Sequence, residues 1–338
     1  MEQVRIGSRR KSAALQRAPL LAIRYGLFIA FLLYFALMSF VSPYFLTPVN
    51  LLNVLRQTAP VLIIAVGMTF VIATAGIDLS VGSIVALVSV VAADILHRGG
   101  SAGVALLVVL AVGGLAGFVN GYCVARMNLT AFVVTLATLS LLRGLAFMYT
   151  NGYTIPISND TFNALGRGEI ASIHTPIIIA AVTVIVGRFV LTQSRFGRYT
   201  LAVGGHEEAA RRQGINVREI KLWVYVATGV LAALAGAILT GRVANGSPNA
   251  GLTMELEVIT AVVLGGTSLF GGEATIGGTV VGTLFTNFIR NGLNLLGVNP
   301  FAVWVVTGII LLVAIWFNTT VARRVEDWLR VQTLREEM

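Results

Sequence analysis

Charge is scarce in this chain. Asp, Glu, Lys and Arg make up 12% of its 338 residues while 56% are hydrophobic. Soluble domains carry about 25% charged residues, so the composition excludes a soluble globular protein and indicates an integral membrane one. Cysteine is represented by Cys123 alone, which excludes an internal disulfide. His97, His174 and His206 are isolated and fit no zinc spacing. The two lysines, Lys11 and Lys221, do not follow a glycine, so no GxxxxGK[ST] phosphate loop exists. G-x-S-x-G and HExxH runs are also missing, which removes the usual hydrolase signatures. No ladder of intramembrane acids and histidines suggests a proton relay. No catalytic residue, metal ligand or cofactor is therefore expected.

What remains is a series of continuous apolar runs. Lacking a period of two, they argue against a barrel and for an all-α polytopic membrane protein. Ten spans are predicted: Tyr25–Val41, Pro60–Ala75, Val81–Leu96, Gly103–Ala125, Ala131–Tyr149, Pro176–Leu191, Leu222–Gly241, Leu256–Phe270, Ile276–Leu293 and Phe301–Phe317. The membrane domain occupies 25–317, between an N-terminal tail at 1–24 and a C-terminal tail at 318–338. The 36 glycines suit closely packed and broken helices; Gly113, Gly114, Gly117 and Gly121 form a small-residue face on one of them. Residues 151–175 are too polar to span and form an outer loop with room for a short surface helix.

The net charge of +9 is distributed as the positive-inside rule requires, so it reports orientation and implies no nucleic-acid partner. Eighteen of the 24 lysines and arginines fall in the two tails, the 194–221 loop and the inner span ends at Arg126 and Arg188. That asymmetry puts both termini in the cytoplasm.

The 194–221 loop is the one internal run dense in charge. Within it Glu207–Gln213 reads as a short helix with Glu207 and Glu208 in its first turn and Arg211 and Arg212 in its last. This arrangement complements the helix dipole, and both i,i+4 pairs have the favourable order. Gly214 is placed to end the helix, and Asn216 with Glu219 resembles a capping box for the next one. A solvated loop and a docking element for a soluble partner are the two readings.

Two glycine-rich stretches break the apolar pattern. The first contains Gly76, Asp78, Ser80 and Gly82; the second contains Gly265, Gly266, Thr267 and Ser268. Non-helical backbone at membrane depth survives only under protein cover or beside water. Asp78 is read either as a helix N-cap for a span beginning at Leu79 or Ser80, or as a group lining a path. Both breaks are expected on the side of the charged loop. Thr283, Asn287, Asn291 and Asn294 share one helix face beside Arg290, either as interhelical contacts or as a solute path.

Several long motifs now carry a resemblance. Ala65-Val66-Gly67-Met68-Thr69 leads into Gly76-Ile77-Asp78-Leu79-Ser80-Val81-Gly82-Ser83. Leu141-Leu142-Arg143-Gly144, Arg195-Phe196-Gly197-Arg198-Tyr199 and Gly214-Ile215-Asn216-Val217 follow. Ala261-Val262-Val263-Leu264-Gly265-Gly266-Thr267-Ser268 and Gly292-Leu293-Asn294-Leu295-Leu296-Gly297-Val298 complete the set. In this order they resemble the membrane permease subunits of bacterial ABC importers for monosaccharides, the ribose permease family. His206, Glu257 and Ala274 stand where that family commonly has Asn, Asp and Gly.

The resemblance implies an inner-membrane permease for a ribose-like sugar or related polyol, working by alternating access. It also implies a cytoplasmic ABC ATPase subunit, a periplasmic sugar-binding protein and a second permease as partners. Glu207–Gln213 would then be the coupling helix, with Glu207, Glu208, Arg211, Arg212 and Gly214 as its working residues. An ATP-independent transporter or facilitator of a small polar solute is the alternative.

Overall fold

The computed structural model describes residues 27–316. The tails assigned to 1–24 and 318–338, and the span-end residues Tyr25 and Phe317, lie outside the described residues. The chain runs α1 (Leu27–Val41), α2 (Pro48–Ala73), α3 (Val81–His97), α4 (Ala102–Ala125) and α5 (Ala131–Thr150). Next come β1 (Ile155–Pro156), α6 (Asp160–Arg167), β2 (Glu169–Ile170), β3 (Ile173–His174), α7 (Thr175–Gln193), α8 (Arg195–Gly205) and α9 (Glu207–Arg212). It ends with α10 (Val217–Val243), β4 (Asn245–Gly246), α11 (Met254–Leu264), α12 (Ile276–Leu295) and α13 (Pro300–Trp316). The strands are two-residue antiparallel pairs, β1 with β4 and β2 with β3.

Several helices start where a side chain supplies an acceptor for the free N–H groups of a first turn. Thr47 accepts from Asn50 N ahead of Pro48, Ser101 from Val104 N, and Thr275 from Gly278 N. The largely buried helices α2 and α10 form the centre of the bundle, and α4, α5 and α7 turn most of their residues outward. Outward side chains such as Leu107, Leu115, Val133, Ile185 and Phe189 are apolar, as a lipid-facing surface requires. Gly113, Gly117 and Gly121 let α4 approach α10 closely. Methyl groups there would overlap the carbonyl oxygens of Gly229 and Tyr225 and lie 2.8 Å from that of Leu222.

The fold is an all-α, multi-pass membrane protein. Among the described residues five helices are long and apolar enough to cross a bilayer: α2, α4, α5, α7 and α10. Shorter apolar helices lie at Leu27–Val41, Val81–His97 and Phe301–Ile310. The expected span Leu256–Phe270 is cut short. Its helix α11 has 11 residues, about 16 Å at the α-helical rise, against a hydrocarbon core of about 30 Å. The expected span Ile276–Leu293 forms the helix α12, but its polar face keeps it out of the clearly apolar set. The expected surface helix in the outer loop is α6.

Residues 244–253, between α10 and α11, form a further non-helical stretch, in the connection that the apolar runs leave between Gly241 and Leu256. Ala244 and Thr253 have φ of +53° and +62°. Arg143 on α5 donates to Pro248 O and Ala250 O at 2.8 Å and to Gly251 O at 3.3 Å, supplying partners that irregular backbone cannot find in itself.

Candidate functional site

The charged loop forms a compact, capped element. His206 occupies the N-cap of α9, its Nδ1 accepting from Ala209 N at 3.1 Å. The imidazole thus does the capping job of the more usual asparagine. The helix closes at Arg212, with Gln213 as its cap, one residue earlier than the spacing suggests. Gly214 has φ +81°, donates to Arg211 O, and is followed by Ile215 N donating to Ala210 O. That pair of bonds is a Schellman motif, which needs the left-handed conformation glycine supplies.

Ion pairs brace α9 from outside. Glu207 Oε1 lies 3.0 Å from Arg211 Nη2, and Glu208 Oε1 lies 3.4 Å from Arg212 Nε. Lys221 Nζ on α10 donates to Glu207 Oε2 at 2.6 Å. The Lys221 ammonium, and then Arg211, hold the Glu207 carboxyl below its ordinary value of 4.5. Nearby, Arg126 pairs with Glu219. Only Ala210 of α9 is buried, so Glu208, Arg211 and Arg212 are presented to the exterior.

The first break places Asp78 differently from an N-cap. Helix α3 begins at Val81, with Ser80 in the cap position. Asp78 Oδ1 accepts from Ser80 N at 2.9 Å and Ser80 Oγ at 2.6 Å. Asn120 Nδ2 on α4 donates to Ser80 Oγ at 2.8 Å, and Thr138 on α5 donates to Asn120 Oδ1 at 2.7 Å. Thr135 closes the backbone side, donating to Ile77 O. Asp78 and Ser80 are fully buried, so this acid holds a turn together under protein cover. At the second break, Gly265 and Gly266 continue the last turn of α11 by donating to Ala261 O and Val263 O. Thr267 N then donates back to Val262 O at 3.3 Å, closing the helix end, and Ser268 N donates to Glu273 O at 3.0 Å.

The polar stripe of α12 divides. Thr283 donates to Thr279 O and is fully buried in its own helix. Asn287, Asn291 and Asn294 instead line a cavity of about 140 Å³ between α2, α10, α11 and α12. Gln57, Arg242, Glu257 and Arg290 join them on its wall. Glu257 Oε2 and Arg290 Nη2 pair at 2.9 Å, and Asn50 and Asn291 exchange reciprocal amide bonds of 3.0 and 2.9 Å. Neither Asp78 nor Ser80 lines this cavity.

Sequence reasoning missed Gln57, Arg242 and Glu257 as parts of this wall. The available signal was Arg290, a lone charge in an apolar segment, since an intramembrane charge requires a partner, but the sequence did not say which one. The lining mixes donors and acceptors: guanidinium and amide N–H groups face carboxylate and amide oxygens. Such a wall can exchange hydrogen bonds with a small polyhydroxylated solute without a covalent step.

A family model described as branched-chain amino acid transport system / permease component matches residues 50–315. The ribose import permease protein of Escherichia coli (strain K12) is 44% identical over 291 residues, covering 85% of this chain and 91% of the relative. The corresponding protein of Haemophilus influenzae is 42% identical over 292 residues, 85% of this chain and 90% of the relative. An L-arabinose ABC transporter permease protein of Azospirillum brasilense is 40% identical over 295 residues, 87% of each chain. No solved structure matches.

Proposed function

The chain belongs to the branched-chain amino acid transport system / permease component family, as a sugar permease of the ribose import type, and on that premise we propose that it forms the membrane path of an ATP-driven importer for a pentose-like monosaccharide or related polyol. A cytoplasmic ABC ATPase supplies the energy, a periplasmic sugar-binding protein delivers the solute, and a second permease completes the path. The chain crosses the inner membrane ten times with both termini in the cytoplasm, the short α11 completing its crossing with the non-helical residues that follow it.

The observation that carries this reading is α9. It is exposed, fully capped at both ends and fastened to α10 by Lys221, so its charged face is preformed for a protein partner. Glu207, Glu208, Arg211 and Arg212 form the coupling surface, and Gly214 holds its end. The breaks at Gly76–Ser80 and Gly265–Ser268 let helix ends shift during alternating access, with Gly82 already inside α3. The cavity walled by Asn287, Asn291 and Asn294 provides a weak, transient stop for the solute. Specificity comes mainly from the external binding protein, because a transit site that bound tightly would slow release.

Reconstitution tests this directly. Proteoliposomes holding the chain and its ATPase are expected to take up radiolabelled ribose or arabinose only with internal ATP and external binding protein. Equal uptake without ATP would support a facilitator instead.

A further inference from the structure

Three segments remote in sequence meet through their backbones just before α9. Gly272 N donates to Ala73 O at 3.0 Å, joining the second break to the end of α2. Gly204, near the end of α8, sits against both. A methyl group there would overlap Ala73 O and lie 2.7 Å from Gly272 N. From the other side, a methyl on Gly271 would come within 2.8 Å of Gly204 O and 2.9 Å of Ala75 N. One on Gly272 would come within 2.8 Å of Gly205 Cα. Gly271 and Gly272 also hold φ of +82° and +81°, which most residues avoid.

Contacts of backbone against backbone have no rotamers with which to yield. Side chains facing one another can slide by changing χ angles, whereas α2 and the second break are fastened by the Gly272–Ala73 bond and Gly204 bears on both with no side chain between. His206, the cap of α9, follows Gly205 directly. Displacing α9 toward them therefore presses on the ends of α2 and of the second break together.

We propose that Gly204, Gly271 and Gly272, with Ala73, form a rigid joint that passes one displacement of α9 to both breaks at once, with Gly204 as its positioning residue. The proposal rests on the reading of α9 as the ATPase contact. The geometry of the bundle gives the joint its reach. From Val61 on the cavity wall to Thr74, α2 runs about 20 Å at the helical rise. On the other branch, α12 rises from Thr275 to the cavity residues Asn287, Asn291 and Asn294. Both walls of the polar cavity thus descend to one joint, and a single push is delivered to both.

The test uses the full complex of permease, ATPase and binding protein, in a Cys123→Ser background so that introduced cysteines are unique. Spin labels go at Gln213, beside α9 and outside the coupling surface, and Glu273, both exposed. Their separation is expected to hold within about 2 Å between nucleotide-free and ATP-trapped states, the scale of a helix shift. A change of more than about 5 Å, a full helical turn, would overturn the joint. In parallel, Gly204→Ala is expected to co-purify with the ATPase and retain ATP hydrolysis while uptake falls about tenfold. Gly205→Ala, whose added methyl meets nothing closer than 3.7 Å, is expected to transport normally. Wild-type uptake by Gly204→Ala would overturn the proposal. If Gly204→Ala fails to assemble, the label distances decide alone. Failure of the wild-type chain to bind the ATPase would overturn the reading of α9 itself, a separately visible result.

Discussion

Lys221 and Glu207, fourteen residues apart, are joined by a 2.6 Å hydrogen bond that ties the first turn of α9 to the first turns of α10. The bond leaves Glu208, Arg211 and Arg212 pointing outward, so one acid of the helix anchors it while the remaining charges stay exposed. Glu207→Lys places like charges against each other and loses the anchor. Arg211→Glu reverses a presented charge and leaves the anchor in place. Both variants are expected to fold, and both are expected to lose co-purification with the ATPase. Glu207→Lys should also raise hydrogen exchange across α9, and Arg211→Glu should raise it less.

The same anchor has a defined pH response. Lys221 and Arg211 favour the ionised form of Glu207, so its folded-state pKa lies below the ordinary 4.5. The stabilisation is fully present above 4.5 and is lost as pH falls through the lower folded value. Protection of α9 amides, corrected for intrinsic exchange, is expected to be flat from pH 8 to about 5 and to fall only in stronger acid. Glu207→Gln should show the low protection at every pH, and high salt should move the wild type toward it.

Asp78 separates by the atom it uses. Its Oδ1 accepts two bonds from Ser80, and an asparagine retains that acceptor. Asp78→Asn is expected to keep uptake within about threefold of wild type, while Asp78→Ala leaves the buried Ser80 N–H unpaired at a cost of about 1–3 kcal/mol. Thermal unfolding in detergent checks the second value. Loss of uptake in a stable Asp78→Asn protein would show that the charge itself is used.

The Glu257–Arg290 pair spans the cavity wall, with the carboxylate nearly buried and the guanidinium partly exposed. Removing one partner leaves the other uncompensated, so Glu257→Gln and Arg290→Ala are each expected to destabilise. The cost should be below the about 3–5 kcal/mol of a fully buried pair, because the Arg290 side chain is partly exposed. The double variant is expected to be more stable than the sum of the singles, as measured by a double-mutant cycle on unfolding midpoints.

The legible parts of this molecule were local ones. Helix α9 could be read because its cap, paired charges and terminal glycine lie within a few residues, and local signals of that kind survive without knowledge of the fold. The non-helical stretches at Asp78 and Thr267 were visible as glycine clusters in apolar sequence. The span drawn to Phe270 nevertheless overran α11, which ends at Leu264, because the apolar run continues past the glycine pair that stops the helix. Residues 244–253 also looked like an ordinary connection. Their non-helical path depends on Arg143, about a hundred residues earlier in the chain, capping three carbonyls. The cavity wall and the glycine joint are likewise products of long-range contact: Glu257 and Arg290 carry no local mark of being partners, and nothing near Gly204 announces Ala73.

The central claim is that this chain moves sugar only when ATP is hydrolysed by a partner seated on α9. The most direct measurement is uptake of labelled ribose and arabinose into proteoliposomes containing the permease and ATPase, with external binding protein and with or without internal ATP. The account predicts ATP-dependent accumulation above the external concentration, abolished by Arg211→Glu. Sugar entry that proceeds equally without ATP and stops at equilibrium would contradict it.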